Sequence, residues 1–275
     1  MRLIHLSDLH FGAVDPGLPG NLRTAIIAAK ADLLVVSGDL TQRGRKTEFQ
    51  QAKEFLDSLP LPKLVVPGNH DVQGSWNFWE RFTTPFRNYQ SIIHADMEPV
   101  WSEPGLIVSG ANSARPVGWN LDWSRGRLSG RQVARMAKQY ELANTADLRV
   151  FVVHHPLAAP PGGTARHLIG RLKEFTAVVN EAGVDLVLSG HFHMSYAQTL
   201  PLPGAPHTRS CVFSSVSTAT SHRLKGEPNG FHLIDGNHRQ LTIRDWAWTG
   251  MVYAERRAWE FKADSVTRDW RRLGN

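Results

Sequence analysis

The first third of the chain alternates between short apolar runs and amphipathic segments. The runs at 2–7 (RLIHLS), 32–37 (DLLVVS) and 63–68 (KLVVPG) have the length and composition of buried strands. Between them, segments 22–30 and 45–59 carry apolar residues at helical spacing. Buried strands that alternate with helices are typical of a parallel sheet covered by helices, so this region predicts a βαβαβ arrangement.

The second half of the chain resumes the same alternation. Strands are predicted at 105–113, 148–156 and 184–193, and helices at 129–144 and 165–183. Ser129 suits the N-cap of the first of these helices, and Gly183 suits the residue just after the second. Shorter apolar runs follow at 196–202, 210–216, 230–235 and 240–248. These later runs predict that a second sheet completes the domain.

Two segments depart from the alternation. Residues 73–105 are aromatic and loop-like, and they directly follow the polar block VPGNHDV, so we expect them beside any site formed there. Residues 251–275 are aromatic and basic. A helix packed on the body or on a second subunit would suit this segment, which leaves a homodimer open. The chain is therefore divided into a domain over 1–250 and an extension over 251–275.

The composition is ordinary for a globular enzyme and argues against disorder. Its 275 residues are 41% hydrophobic and 20% charged, enough for one large α/β domain with a substantial core. No run of about 18 apolar residues is present, so no transmembrane segment is expected. The N-terminus lacks the apolar stretch of a secretory signal. The single cysteine, Cys211, cannot form an internal disulfide, and together these features predict a cytoplasmic protein.

The net charge of +6 favours anionic partners. The basic residues are dispersed, with the densest group near the C-terminus, and no nucleic-acid-binding motif is recognisable. We therefore expect a small anionic substrate rather than a dedicated nucleic-acid partner.

Five polar blocks stand out: SDLHFG, SGDLTQRG, VPGNHDV, VVHHPL and SGHFHMS. Four of them follow a short apolar run, and the carboxyl ends of parallel strands share one edge of a sheet, so their side chains should converge. Carboxylate, imidazole and amide groups without thiolate suit Mn²⁺, Fe or Zn²⁺. The candidate ligands are Asp8, His10, Asp39, Asn69, His154, His191 and His193.

In this order, the blocks D-x-H, G-D, G-N-H-D, H-x-P and G-H-x-H resemble the calcineurin-like metallophosphoesterase superfamily. The resemblance covers roughly residues 1–235 and implies a four-layer α/β/β/α sandwich. HLSDLHFG, GDLTQRG and PGNHDV are most similar to the bacterial branch that contains class III cyclic-nucleotide and glycerophosphodiester phosphodiesterases. The function implied is hydrolysis of a small-molecule phosphodiester.

The resemblance also implies how the candidate ligands are shared. One metal would be held by Asp8, His10 and His193, and the other by Asn69, His154 and His191, with Asp39 bridging both. Two divalent transition-metal ions are expected, Mn²⁺ or Fe first and Zn²⁺ as an alternative. Such a pair implies attack on the phosphodiester by a metal-bridging hydroxide.

The G-N-H-D block implies further catalytic residues. In the family, the histidine at the position of His70 acts near the leaving-group oxygen as an acid or as a phosphate-binding donor. Asp71 would orient His70 and raise its pKa, or else cap the following turn. Of the adjacent histidines in VVHHPL, the pattern makes His154 the ligand, and His155 would point toward substrate or support the ligands.

Two other residues are candidates for substrate binding, each with a plainer alternative. Arg43 in GDLTQRG matches the spacing of a phosphate-binding arginine in the Ser/Thr phosphatase branch. Gln42 stands where that branch has aspartate, which favours a solvated Arg43 instead. Asn112, at another strand end, would contact substrate or cap a turn.

Three other functions remain open at this point. A pyrophosphatase acting on UDP-diacylglucosamine would need an apolar groove, which residues 73–105 could supply. A nuclease would suit the basic charge. A metal-binding scaffold without catalysis is disfavoured, because every ligand position and His70 are intact.

Overall fold

The computed structural model describes residues 1–74, 78–116, 125–163, 167–202 and 209–274. They form two mixed β-sheets packed face to face. The strands are β1 Arg2–Leu6, β2 Leu33–Val36, β3 Lys63–Val65, β4 Val100–Glu103, β5 Leu106–Ala111, β6 Leu148–Val153, β7 Leu186–Ser189, β8 Tyr196–Leu202, β9 Arg209–Ser215, β10 Gly230–Asn237, β11 Gln240–Trp248, β12 Tyr253–Ala263 and β13 Trp270–Leu273. The α-helices are α1 Leu18–Ala29, α2 Lys46–Asp57, α3 Phe78–Thr83, α4 Arg87–Ile92, α5 Gly130–Glu141 and α6 Leu172–Glu181. Among the described residues, no helix has the length and apolar character needed to cross a membrane.

The first sheet has seven strands in the order β13-β12-β11-β10-β1-β2-β3. Strands β1, β2 and β3 are parallel, whereas β10 to β13 form an antiparallel meander that joins β1 through β10. The second sheet has six strands in the order β4-β5-β6-β7-β9-β8, with β5, β6, β7 and β9 parallel. The parallel strands of both sheets therefore deliver their carboxyl ends to the candidate site.

Three apolar clusters hold the layers together. Side chains such as Leu3, Val35 and Val150 are fully buried between the two sheets. The other face of the first sheet packs against α1, α2 and α4, and that of the second against α5 and α6. The alternation along β1, where Leu3 faces one cluster and Ile4 the other, reflects the period of two in a strand buried on both faces. The expected α/β/β/α sandwich is confirmed.

The ends of α5 and α6 have the capping residues that the sequence predicts. The hydroxyl of Ser129 accepts a hydrogen bond from Gln132 N, as expected for an N-cap. Gly183 follows α6 with a φ of +67°, as expected for the residue after a helix. Helix α6 begins at Leu172, later than predicted: Gly170 N donates to Gly126 O, and Gly170 forms a bridge with Arg127. The start of the predicted helix, residues 165 and 166, lies outside the described residues.

The secondary structure expected for two segments was wrong. The segment 73–105 contains the helices α3 and α4 and the strand β4, which pairs with β5. The end of the chain forms β12 and β13 in place of a helix. Trp259, Phe261 and Trp270 from these strands lie in the core between the sheets, so the segment packs on the body itself. The division at residue 250 stays a prediction.

Candidate active site

The seven candidate ligands lie where strands β1, β2, β3, β6 and β7 end. Five of them adopt a left-handed backbone with positive φ: Asp8, His10, Asp39, His191 and His193. Residues other than glycine rarely adopt this conformation, which costs about 1–3 kcal/mol each and persists only where the surroundings enforce it. The strain is concentrated in the residues that the motifs single out.

Glycines beside the ligands allow the loops to approach closely. A Cβ atom on Gly68 would clash with Asp39 Oδ1, and one on Gly190 would clash with Asp8 Oδ2. A Cβ atom on Gly38 would lie 2.8 Å from His154 Nδ1. Each glycine therefore lines the space of a ligand that belongs to a different block.

The first group consists of Asp8, His10 and His193. The Nε2 atoms of the two histidines lie 3.1 Å apart, and His193 Nε2 lies 3.2 Å from Asp8 Oδ1. Both Nδ1 atoms face main-chain carbonyls, Thr41 O at 3.2 Å and Arg223 O at 2.8 Å. Because a carbonyl only accepts, each Nδ1 carries the proton and each Nε2 presents a lone pair.

The second group consists of Asn69, His154 and His191, with Asp39 between the groups. His154 Nε2 lies 3.1 Å from Asn69 Oδ1 and 3.3 Å from Asp39 Oδ2. His191 Nδ1 lies 3.0 Å from the same amide oxygen. His154 Nδ1 donates to Ser37 O at 2.8 Å, which again directs Nε2 into the site.

The charges of the buried carboxylates govern the site. Burial acts to raise the pKa of Asp39, yet the nearby imidazoles of His154 and His70 hold it well below the usual range. Burial likewise opposes the ionisation of Asp8, and His193 outweighs it. Burial acts to lower the pKa of His154, but the charge of Asp39 raises it to about 9. The negative charges of Asp8 and Asp39 therefore stabilise a positive charge beside the imidazoles, either a proton or another cation.

This donor set fits metal ions. The described residues contain overlapping clusters of three side chains whose ligand atoms lie within 4.8 Å of one another in each cluster: Asp8 with His10 and His193, His10 with Asp39 and His70, and Asp8 with Asp39 and His154. The buried Asp8 Oδ1 has no hydrogen-bond donor among the described residues. Lone pairs of oxygen and imidazole nitrogen that face each other at such distances are stabilised when a cation lies between them.

A family model described as calcineurin-like phosphoesterase matches residues 1–195. This chain belongs to the calcineurin-like phosphoesterase family. The resemblance found in the five blocks is confirmed, and so is the expectation of a hydrolase. Family membership and the His/Asp clusters together support binding of divalent metal ions.

Curated relatives agree with the bacterial branch of the family. The chain is 38% identical over 264 residues to "Glycerophosphodiester phosphodiesterase GpdQ" of Enterobacter lignolyticus, covering 82% of this chain and 88% of that protein. It is 29% identical over 252 residues to a protein of Synechococcus sp. named "Probable cyclic nucleotide phosphodiesterase", covering 84% and 89%. Among solved structures, purple acid phosphatase PPD1 of yellow lupin superposes with a TM-score of 0.69 at 15% identity, covering 97% of this chain and 54% of that one. This likeness shows the shared fold.

In this phosphoesterase, His70 lies beside the first ligand group. Its ring centroid is 4.8 Å from that of His10, and its Nδ1 donates to Gln42 O at 2.7 Å. The Asp71 carboxylate does not contact the His70 ring. It accepts hydrogen bonds from the main-chain N–H groups of Leu40, Thr41 and Gly68 at 2.9–3.1 Å. Asp71 therefore joins two ligand loops, and the Gln42 carbonyl orients His70 instead.

None of the three residues considered for substrate binding lines the cavity beside the ligands. The Arg43 side chain is exposed outside the cavity, and its main-chain N–H donates to Glu48. Asn112 Oδ1 accepts from Ala114 N at 2.8 Å, which is the turn-capping alternative. His155 is fully buried, with its Nδ1 2.7 Å from Ser113 Oγ and its ring against His154 and His191. His155 therefore packs behind the ligands.

The site opens into a cavity of about 180 Å³. Its lining residues are Asp39, Asn69, His70, His167, His191, Phe192, His193, Arg223 and Lys225. Sequence reasoning missed Arg223 and Lys225, because no recognisable block surrounds them. No described residue of 73–105 contributes to the lining, contrary to expectation. A larger groove of about 460 Å³ between α1 and α2 contains none of the seven ligand candidates, so size does not identify the site.

Proposed function

We propose that this phosphoesterase hydrolyses a small phosphodiester with two divalent transition-metal ions. The observation that carries the proposal is the convergence of buried lone pairs around Asp39, whose Oδ2 lies within 3.8 Å of the Nε2 atoms of both His10 and His154. Asp8, His10 and His193 would hold one ion, Asn69, His154 and His191 the other, and Asp39 both. Mixed oxygen and imidazole donors favour Mn²⁺ or Fe, with Zn²⁺ as an alternative.

When bound, such ions lower the pKa of water and withdraw charge from phosphoryl oxygens. The protein fixes the donors: main-chain carbonyls hold the Nδ1–H groups of His10, His154 and His193, so that their Nε2 atoms stay directed into the site. His70, with Nδ1 bound to Gln42 O, presents Nε2 to the cavity and, when protonated there, donates to the departing oxygen.

A covalent cysteine intermediate does not suit this chain. Cys211 is fully buried in β9, where burial raises the pKa of its thiol to about 12. A thiol in that state is a poor nucleophile at neutral pH. The buried, unpaired cysteine also supports a reducing compartment such as the cytoplasm.

The relatives' names support a diester as the substrate. One is named for glycerophosphodiesters and another for cyclic nucleotides. A pyrophosphatase acting on UDP-diacylglucosamine is less well supported, because the described lining lacks the residues of 73–105 that were to form its acyl groove. A nuclease and a non-catalytic scaffold gain no specific support from the site.

A substrate panel with added Mn²⁺ tests the proposal. It compares bis-p-nitrophenyl phosphate, p-nitrophenyl phosphate, cyclic AMP, a glycerophosphodiester and UDP-diacylglucosamine, with elemental analysis of the reconstituted protein. We expect two metal ions per chain and a higher kcat/KM for the bis ester than for the monoester. A higher value for the monoester, or full activity with one ion or none, would contradict the proposal.

A further inference from the structure

The loop between β9 and β10, residues 216–229, lies beyond the span of the family model, and yet it is attached to the site. The hydroxyls of Thr218 and Thr220 each donate at 2.6 Å to main-chain carbonyls of the D-x-H block. The main-chain carbonyl of Arg223 accepts the Nδ1–H of His193 at 2.8 Å. These bonds fix the backbone of Arg223 beside the first ligand group.

The side chain of Arg223 reaches across the cavity from this anchored backbone. Its Nη1 donates to Gln42 Oε1 at 3.1 Å and lies 3.4 Å from His70 Nε2. Within the described part of the chain, Arg223 and the nearby Lys225 form no ion pair, and the Nε and Nη2 groups of Arg223 make no hydrogen bond. The guanidinium is thus held at one nitrogen and retains both its charge and further donors.

The residue type at position 42 matters for this charge, because Gln42 is the hydrogen-bond partner of the guanidinium. An aspartate or glutamate there would neutralise the guanidinium, whereas a neutral amide oxygen positions it and leaves the charge available. Guanidinium groups present several N–H donors in a planar fork that matches the geometry of phosphate oxygens. The cavity that the guanidinium lines also contains His70 and four of the seven candidate ligands.

We propose that Arg223 is a substrate-binding residue whose guanidinium binds a non-bridging oxygen of the phosphoryl group, with Gln42 as the residue that positions it. Lys225, which is exposed at the rim, adds a weaker and less directional attraction. The inference rests on the proposed function and deepens it, because it names the group that recognises the phosphoryl centre alongside the metal ligands.

The test measures binding of inorganic phosphate to the Mn²⁺-reconstituted protein by calorimetry. We expect Arg223→Gln to weaken phosphate binding by about 10–100-fold, the usual scale for a lost hydrogen bond to a charged group. The KM for bis-p-nitrophenyl phosphate should rise, while metal content stays unchanged. Arg239→Gln, which removes the same charge from an exposed turn, is the matched control and should bind phosphate as the wild type does.

Two further variants separate recognition from structure. Arg223→Lys keeps the charge but not the fork, and should fall between wild type and Arg223→Gln. Gln42→Glu keeps Arg223 but pairs it with a carboxylate, and should also weaken phosphate binding; this variant decides the question if Arg223→Gln fails to fold. Phosphate affinity in Arg223→Gln equal to that of Arg239→Gln, or loss of metal from Arg223→Gln, would overturn the proposal. Because the calorimetry needs no turnover, its result stands even if none of the panel's diesters is hydrolysed.

Discussion

Two of the buried histidine–aspartate pairs in the described part of the chain behave in opposite ways. His154 Nε2 lies 3.3 Å from Asp39 Oδ2, and His232 Nε2 lies 3.7 Å from Asp245 Oδ1. All four side chains are buried. Burial acts to lower the pKa of both histidines, but the charge of Asp39 raises that of His154 to about 9, whereas His232 falls to about 4 despite Asp245.

Arginines account for the difference. Arg256 and Arg257 both bind Asp245 Oδ2, at 2.6–3.0 Å, so the charge of that carboxylate is already balanced. Among the described residues, Asp39 makes no ion pair with lysine or arginine; its partners are imidazoles and the main-chain N–H of His70. At Asp245 the two arginines are a permanent counter-charge, so this centre is structural. At Asp39 the counter-charge comes from protonated imidazoles, and a metal ion can replace those protons.

The largest expected effect comes from removing the shared carboxylate. Asp39→Ala should abolish measurable hydrolysis and lower metal content, because both proposed ions lose a ligand and their charges then face each other. The loss of activity should be larger than the loss that follows removal of a ligand's hydrogen-bond partner, which is about 10–100-fold. Turnover of bis-p-nitrophenyl phosphate and elemental analysis provide the measurements.

Asp245→Asn is the matched control for this change, since Asp245 is equally buried. It should keep metal and activity but lower the free energy of unfolding by about 2 kcal/mol, less than for a fully buried pair because both arginines are partly exposed. Urea unfolding checks the value. Retained metal in Asp39→Ala, or lost metal in Asp245→Asn, would break the distinction between the two centres.

A smaller effect on hydrolysis is expected from replacing His70. His70→Ala should leave metal content intact and slow hydrolysis of an alkyl diester by about 10²–10⁴-fold. The loss on bis-p-nitrophenyl phosphate should be much smaller, because p-nitrophenolate departs without a proton. Equal losses on both substrates would assign His70 to phosphoryl binding, and loss of metal would make it a ligand.

The smallest effect concerns the pH dependence of stability. In the unfolded chain His232 has its ordinary pKa near 6.5, and in the folded protein about 4, so the unfolded state binds the proton first. Stability should therefore fall as the pH drops from about 6.5 to about 4, by about 1.4 kcal/mol per pH unit and about 3 kcal/mol in all. His232→Asn should remove this part of the slope in urea titrations; an unchanged difference curve would contradict it.

The ligand blocks could be predicted from the sequence because each depends on local information. A strand, a turn and the right residue types lie next to one another, so Asp39 follows β2 and His154 follows β6 as expected. Arg223 could not be found this way. Its place depends on hydrogen bonds between the 216–229 loop and the D-x-H block, about 210 residues apart in the chain. The segment from Ser214 to Ser221, which is rich in serine and threonine, was the available signal.

The last strands were missed for a different reason. In β12 the inward residues Trp259, Phe261 and Ala263 alternate with exposed charged ones, which is the pattern of a strand. The two arginines of ERRAW, Arg256 and Arg257, obscure this pattern, because both donate hydrogen bonds to the buried Asp245. A register irregularity in the pairing of β11 with β12, between Asp245 and Trp246, also interrupts the regular pairing.

The strands on either side of the 216–229 loop, β9 and β10, limit where this chain can be truncated. A fragment ending at residue 195 would contain every motif of the family and all seven proposed ligands. It would nevertheless lack β10, the neighbour of β1, and β9, the neighbour of β7. Both central strands would then carry open edges with unpaired main-chain groups, which template association between chains. We expect such a fragment to aggregate on expression, as light scattering would show: a complete set of motifs is not a complete folding unit.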